Sequence, residues 1–222
     1  MPDHSGGRGH DIDSFLAAID GADESAARDV LAREPALARL PTRGASPVRL
    51  AAYAGMRGLV ADILDSGVAL DAFDAAALGR TEELQALLDD DPSLLEAVSD
   101  DGFTPLHLAA FFGQVKAVEL LLNRGAECDP VSANPMKVHP INSAAAGAHE
   151  VVVHLLLDHG ADADATMAGG YRPLHAVSHA DRPAMVRLLL DRGADPNART
   201  DDGQTPADVA VGDEVRAIFA AL

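Results

Sequence analysis

The feature that most constrains this chain is that it repeats itself. The segment Gly102 to Gly125 reads G-F-T-P-L-H-L-A-A-F-F-G followed by Q-V-K-A-V-E-L-L-L-N-R-G, and its skeleton returns along the sequence. With Pro105 as the register mark, equivalent positions are Asp13, Pro47, Asp71, Pro105, Pro140, Pro173 and Pro206, separated by 34, 24, 34, 35, 33 and 33 residues. A period in the thirties holds one supersecondary unit and too little surface for a core of its own. Such a chain must bury its apolar faces by stacking each unit on its neighbours.

Each unit reads as two antiparallel helices. In the fourth, Thr104 is a good N-cap, Pro105 suits the first helical position because the N–H it lacks is not needed there, and Gly113 supplies a helix-ending conformation. The second helix carries Val118, Leu121 and Leu122 at i, i+3 and i+4, which puts them on one face. The triplet returns as Val60, Ile63, Leu64; Leu84, Leu87, Leu88; Val153, Leu156, Leu157; and Val186, Leu189, Leu190. Ala pairs at Ala51-Ala52, Ala75-Ala76, Ala109-Ala110 and Ala144-Ala145 let neighbouring first helices approach closely. The first and last units, Asp13 to Leu40 and Pro206 to Leu222, are atypical and read as caps.

The sequence T-P-L-H-x-A-A at Thr104 to Ala110, with G-A-D-x-N-A at Gly193 to Ala198, resembles the ankyrin repeat, and the resemblance covers roughly residues 13–222. It implies an all-α solenoid of about seven helix-turn-helix units with short β-hairpin fingers, forming a single domain over 13–222 behind a flexible tail, 1–12. Departures are local. Arg49, Asn142 and Asp208 stand where the family has its His, and Ala148 and Asp181 replace the Gly that ends the first helix. A longer period of 58 residues relates Pro47, Gly55 and Gly67 to Pro105, Gly113 and Gly125, so the first four units read as a duplicated pair. The third unit begins only 24 residues after the second, which predicts a gap in the finger row between Gly67 and Asp71.

Composition narrows the function. With 35 Asp plus Glu against 17 Lys plus Arg, the net charge of -18 argues against nucleic acid or anionic membrane as partner, since both need a positive surface, and leaves a basic partner open. The single cysteine, Cys128, excludes a disulfide framework and a thiolate zinc cage. No secretory h-region or long uncharged apolar run is present, so a cytoplasmic, monomeric protein is expected.

Catalytic constellations are poor. His149, His154 and His159 are spaced by five, so a helix turns them apart, and Cys128 lacks an evident base. His175 and His179 share a helical face, and a metal-dependent enzyme using them is the alternative from another class. No catalytic residue, cofactor or metal is expected. In the family the contact positions are the fingers and the residues after the Ala pair, which carries the expectation over to Tyr53, Asp101, Phe103, Phe111, Phe112, Met136, Val138, Tyr171, His179 and Asp202. Five of the eight aromatic residues fall among them. Aromatics and a Met ringed by polar groups suit a protein interface. The fifth finger carries two extra residues around Asn134-Pro135-Met136 and is a candidate selectivity loop, while the second carries Arg43. The implied function is a non-enzymatic module that grips a protein or peptide in its groove. A narrower version is an inhibitor or immunity-type protein that neutralises a basic effector.

Overall fold

The computed structural model describes residues 5–40 and 44–222, with side chains from residue 11 onward; Arg43 lies outside the described residues. Backbone contacts gather the chain into two compact units, Met1–Asp74 and Ala75–Leu222.

The first unit contains α1 (Ser5–Asp20), α2 (Glu24–Arg33), α3 (Pro47–Tyr53) and α4 (Arg57–Asp65), with a 3-10 turn at Pro35–Arg39. Helix α1 takes in the backbone of residues 5–12, expected from their glycines to be a flexible lead-in. Helix α2 begins where the Asp23 carboxylate accepts the Ala26 N–H, and α3 begins at Pro47 with the Ser46 hydroxyl accepting the Arg49 N–H. Phe15, Ile19, Leu31, Leu59 and Ile63 form the core. The link 66–71 carries no hairpin, and an open cleft of about 430 Å³ lies against it, lined by Leu40, Pro47, Val48, Val68 and Asp71 among others.

The second unit holds α5 (Ala72–Ala77, whose first residues belong to the first unit), α6 (Thr81–Asp90), α7 (Pro105–Phe111), α8 (Val115–Asn123), α9 (Pro140–Ala146), α10 (Glu150–Asp158), α11 (Pro173–His179), α12 (Pro183–Asp191) and α13 (Asp213–Ala220). First helices α7, α9 and α11 pack side by side, and second helices α6, α8 and α10 form the layer behind them. Ala109, Ala110, Ala144 and Ala145 are fully buried, which is why these positions hold nothing larger. The second helices bury a wider stripe than the sequence triplet marked. Ala117, Val152 and Met185, one residue before the triplet, are as buried as Val118, Val153 and Val186, because a helix packed on two sides covers adjacent positions.

Two expectations are corrected. Among the described residues there is no β-strand. The fingers are tight hairpins, each with one main-chain bond between its arms (Ser99 N–H to Phe103 O at 2.9 Å, Thr200 N–H to Gln204 O at 3.0 Å) and one across its turn (Gly102 N–H to Ser99 O and Gly203 N–H to Thr200 O, both 2.8 Å), too short for a ladder. The first helix of the last unit is also missing: residues 206–209 form turns, and only α13 follows.

Candidate functional site

The fingers of the second unit are held by side chains at the third position of each first helix. In α7, the Thr104 N–H donates to His107 Nδ1 at 3.2 Å, and His107 Nε2 meets the Val138 carbonyl at 2.9 Å, so the imidazole is neutral with its proton on Nε2. Burial is the main reason its pKa falls from 6.5 to about 4. His175 in α11 repeats the arrangement, accepting from Arg172 N–H at 3.3 Å and donating to Gln204 O at 3.1 Å, and burial lowers its pKa too. Asn142 keeps the same chemistry with a shorter reach: its Oδ1 accepts the His139 N–H at 3.0 Å and its Nδ2 donates to Ala165 O at 2.9 Å. Asp208 has acceptors only and makes the inward half, taking the Thr205 N–H at 2.8 Å. In the first unit, Arg49 lies 3.8 Å from the Asp74 carboxylate, over the Phe73 ring, in a buried pair.

The finger tips are also bonded to one another. Ala133 N–H donates to Gly102 O at 2.8 Å, Ala168 N–H to Met136 O at 2.9 Å, and Asp201 N–H to Gly169 O at 2.9 Å. Asn134 adds a side-chain bond to Asp101 O at 3.1 Å and turns back to accept the Met136 N–H at 3.1 Å. Two glycines permit this closeness. A Cβ on Gly102, at φ 86°, would stand 2.7 Å from Asn134 N, and one on Gly170, at φ 72°, would stand 2.9 Å from Asp201 N.

On this frame the expected contact residues divide. Phe111, Met136 and Tyr171 are 45%, 53% and 40% exposed, and His179 and Asp202 are exposed as well. Phe112 is half-buried and meets Phe111 edge-on with ring centres 5.0 Å apart. Phe103 is half-buried against the His107 ring at 5.7 Å, as Tyr171 is set against His175 at 5.8 Å, so both finger aromatics also shield the imidazole beneath them. Asp101 is half-buried and accepts from the Ser99 hydroxyl. Val138 is a correction: it is 5% exposed, because its N–H and C=O both close the fifth finger on Ser132 and its carbonyl receives His107. Tyr53, 37% exposed at the end of α3, belongs to the first unit. Val131, 52% exposed, lies within the candidate selectivity loop, 130–137, where the two-residue insertion leaves it without a counterpart in other repeats.

Chemistry beyond binding finds no support in these groups. Both nitrogens of His175 are taken by the backbone, which leaves His179 without a partner ligand, and no group of three His, Cys, Asp or Glu side chains suited to a metal occurs among the described residues. The Cys128 thiol has its pKa raised, mainly by burial, and His139 Nδ1 faces the Asp129 carboxylate at 2.9 Å. No described helix is long and apolar enough to cross a membrane.

Two family models described as ankyrin repeats (many copies) match residues 72–122 and 156–210. The chain is 33% identical over 128 residues, 58% of its length, to the ankyrin repeat protein nuc-2 of Neurospora crassa. It is 34% identical over 148 residues, 60% of its length, to the B-cell lymphoma 3 protein homolog of Mus musculus. With the 26S proteasome non-ATPase regulatory subunit 10 of Dictyostelium discoideum it shares 33% identity over 92 residues, 41% of its length. The matches span 12%, 32% and 39% of those proteins.

Proposed function

Because the chain belongs to the ankyrin-repeat family, whose repeats are generally protein–protein interaction modules, we propose that it is a non-enzymatic module that binds a protein or peptide on the fingers and first helices of its second unit. The observation that carries this reading is the exposure of Phe111, Met136 and Tyr171 on a frame whose other large apolar side chains are mostly buried. Full exposure of such a side chain forgoes about 1.5 to 3 kcal/mol of transfer free energy, and these three, each about half exposed, leave roughly half of that for binding to recover. The surface is pre-organised by the finger bonds, so little of the affinity is spent on ordering it. A net charge of -18 favours a basic partner, and nothing in the arrangement of side chains calls for catalysis.

Affinity capture from native lysate tests this, comparing the wild type with a Phe111→Ala, Tyr171→Ala double variant. Loss of two such anchors is expected to weaken capture by about 2 kcal/mol or more, roughly thirtyfold, with helical content unchanged. Equal recovery of every captured protein by both forms would refute the assignment.

A further inference from the structure

The finger row has an order that the main-chain bonds fix. From the fourth unit to the seventh, its exposed side chains include Asp100, then Pro135, Met136 and Lys137, then Tyr171, then Asp201, Asp202 and Gln204, with Asp101 half-buried beside the first. Carboxylates therefore sit at both ends and apolar groups between them. The few cations nearby do not cancel the ends. The Arg199 guanidinium donates to the Gly203 carbonyl of its own finger at 2.6 Å and offsets one of the two carboxylates there, Arg172 is paired with Asp164 at 3.1 Å, and Lys137 stands next to Met136 in the middle of the row. Lys137 makes the centre a poor place for a partner's basic residue, and the ends good ones.

The row also has a length. Each finger doubles the chain back on itself beside its bonded neighbour, so one step spans two chain spacings, on the order of 10 Å. Three steps separate the first finger from the fourth, about 30 Å, which an extended chain at about 3.3 Å per residue covers in roughly nine residues.

We propose that this row seats an extended segment of a partner protein that carries basic residues at two points about nine residues apart and an apolar side chain midway. The inference rests on the protein-binding reading above and gives that partner its chemistry. Basic groups meet Asp100 and Asp101 at one end and Asp201 and Asp202 at the other, and the central apolar side chain packs on Met136 and Tyr171. Asn134 and the tight approaches at Gly102 and Gly170 keep the two ends at a fixed separation, so the row selects for spacing as well as for charge.

Labelled synthetic peptides titrated onto the full chain provide the test. The matched peptide carries Arg pairs at both ends and a central Leu in a Gly-Ser background, and its isomer places all the Arg residues together. Binding of the matched form about tenfold or more tighter than the isomer is expected. Asp100→Asn and the Asp201→Asn, Asp202→Asn pair should each weaken the matched peptide by about threefold to tenfold, Met136→Ala should do the same, and added salt should erase most of the preference. Equal affinity for the two isomers, or indifference to both sets of carboxylate variants, would overturn the proposal. A natural partner that is lost with Phe111→Ala but unaffected by the Asp variants would overturn it while leaving the protein-binding reading intact; a partner insensitive to both would overturn both.

Discussion

The brace at His107 makes acid stability a sharp probe of how the fingers are held. The unfolded imidazole takes its proton near 6.5, whereas burial delays protonation in the folded chain until about 4. Between those values the unfolded state binds more protons, so lowering the pH favours unfolding. The neutral brace is therefore fully stabilising above about pH 6.5, loses strength as pH falls toward 4, and contributes no further change below that. A pKa difference of this size is worth about 3 kcal/mol. Asn is the substitution to make, because Asn142 already performs the same two-sided task in α9. At neutral pH, His107→Asn should cost about 0.5 to 1.5 kcal/mol, since the buried Val138 carbonyl loses one of its two donors and keeps the Ser132 N–H. Urea denaturation followed by circular dichroism at matched pH values should show the wild-type midpoint above the variant at pH 7.5 by up to about 1 M. The two curves should cross as pH falls, with the variant ahead near pH 4. Carboxylate protonation affects both forms alike, so the difference isolates His107. A gap between the two midpoints that stays constant from pH 7.5 to 4 would refute this account of the brace.

Other consequences are as direct. Ala148 and Asp181 occupy left-handed backbone at φ 55° and 52° where other units have Gly, so Ala148→Gly should stabilise the chain by about 0.5 to 1 kcal/mol, seen as a rise in urea midpoint. Arg49→Leu should cost about 3 kcal/mol or more, because it leaves the buried Asp74 carboxylate without its cation, and thermal melting of the variant will show it. Leu121→Ala, at a fully buried site in α8, should cost about 2 to 5 kcal/mol by the same measurement. With its pKa raised by burial, Cys128 should react with iodoacetamide at pH 7.5 more slowly than free cysteine, and a faster rate would contradict its described surroundings.

Much of the fold was legible because its signals are local and repeated. Pro47, Pro105, Pro140 and Pro173 each open a helix of seven residues, as a residue with fixed φ and no N–H to satisfy should. Other features depend on tertiary surroundings that no short window contains. Turn residues mark where a finger reverses but do not say how few main-chain bonds join its two arms, so hairpins were readable and their lack of strand structure was not. Glycines in residues 5–12 argue for flexibility, and yet α1 runs through them. Thr205-Pro206 carries the helix-opening signal, but the segment after it turns instead. The contact surface was legible to a similar depth: counting from the repeat mark locates Phe111, Met136 and Tyr171, whereas the burial of Val138 depends on a hydroxyl six residues earlier and an imidazole in the preceding unit.

The third helical position shows why a departure from a motif is a poor measure of lost function. Read as letters, Arg49, Asn142 and Asp208 are three equal failures to be His. Physically the position asks for an acceptor toward its own helix start and a donor toward a carbonyl beyond it. Asn142 supplies both and differs only in which carbonyl it reaches. Asp208 supplies the acceptor alone, and its segment does not extend into a helix. Arg49 brings donors alone, and its surroundings change to suit it: the Ser46 hydroxyl accepts the Arg49 N–H and donates to Asp74 at 2.7 Å, while Asp74 supplies the countercharge. What this position conserves is a donor–acceptor requirement, which His meets in neutral form, and the same requirement makes His107 sensitive to acid where Asn142 is not.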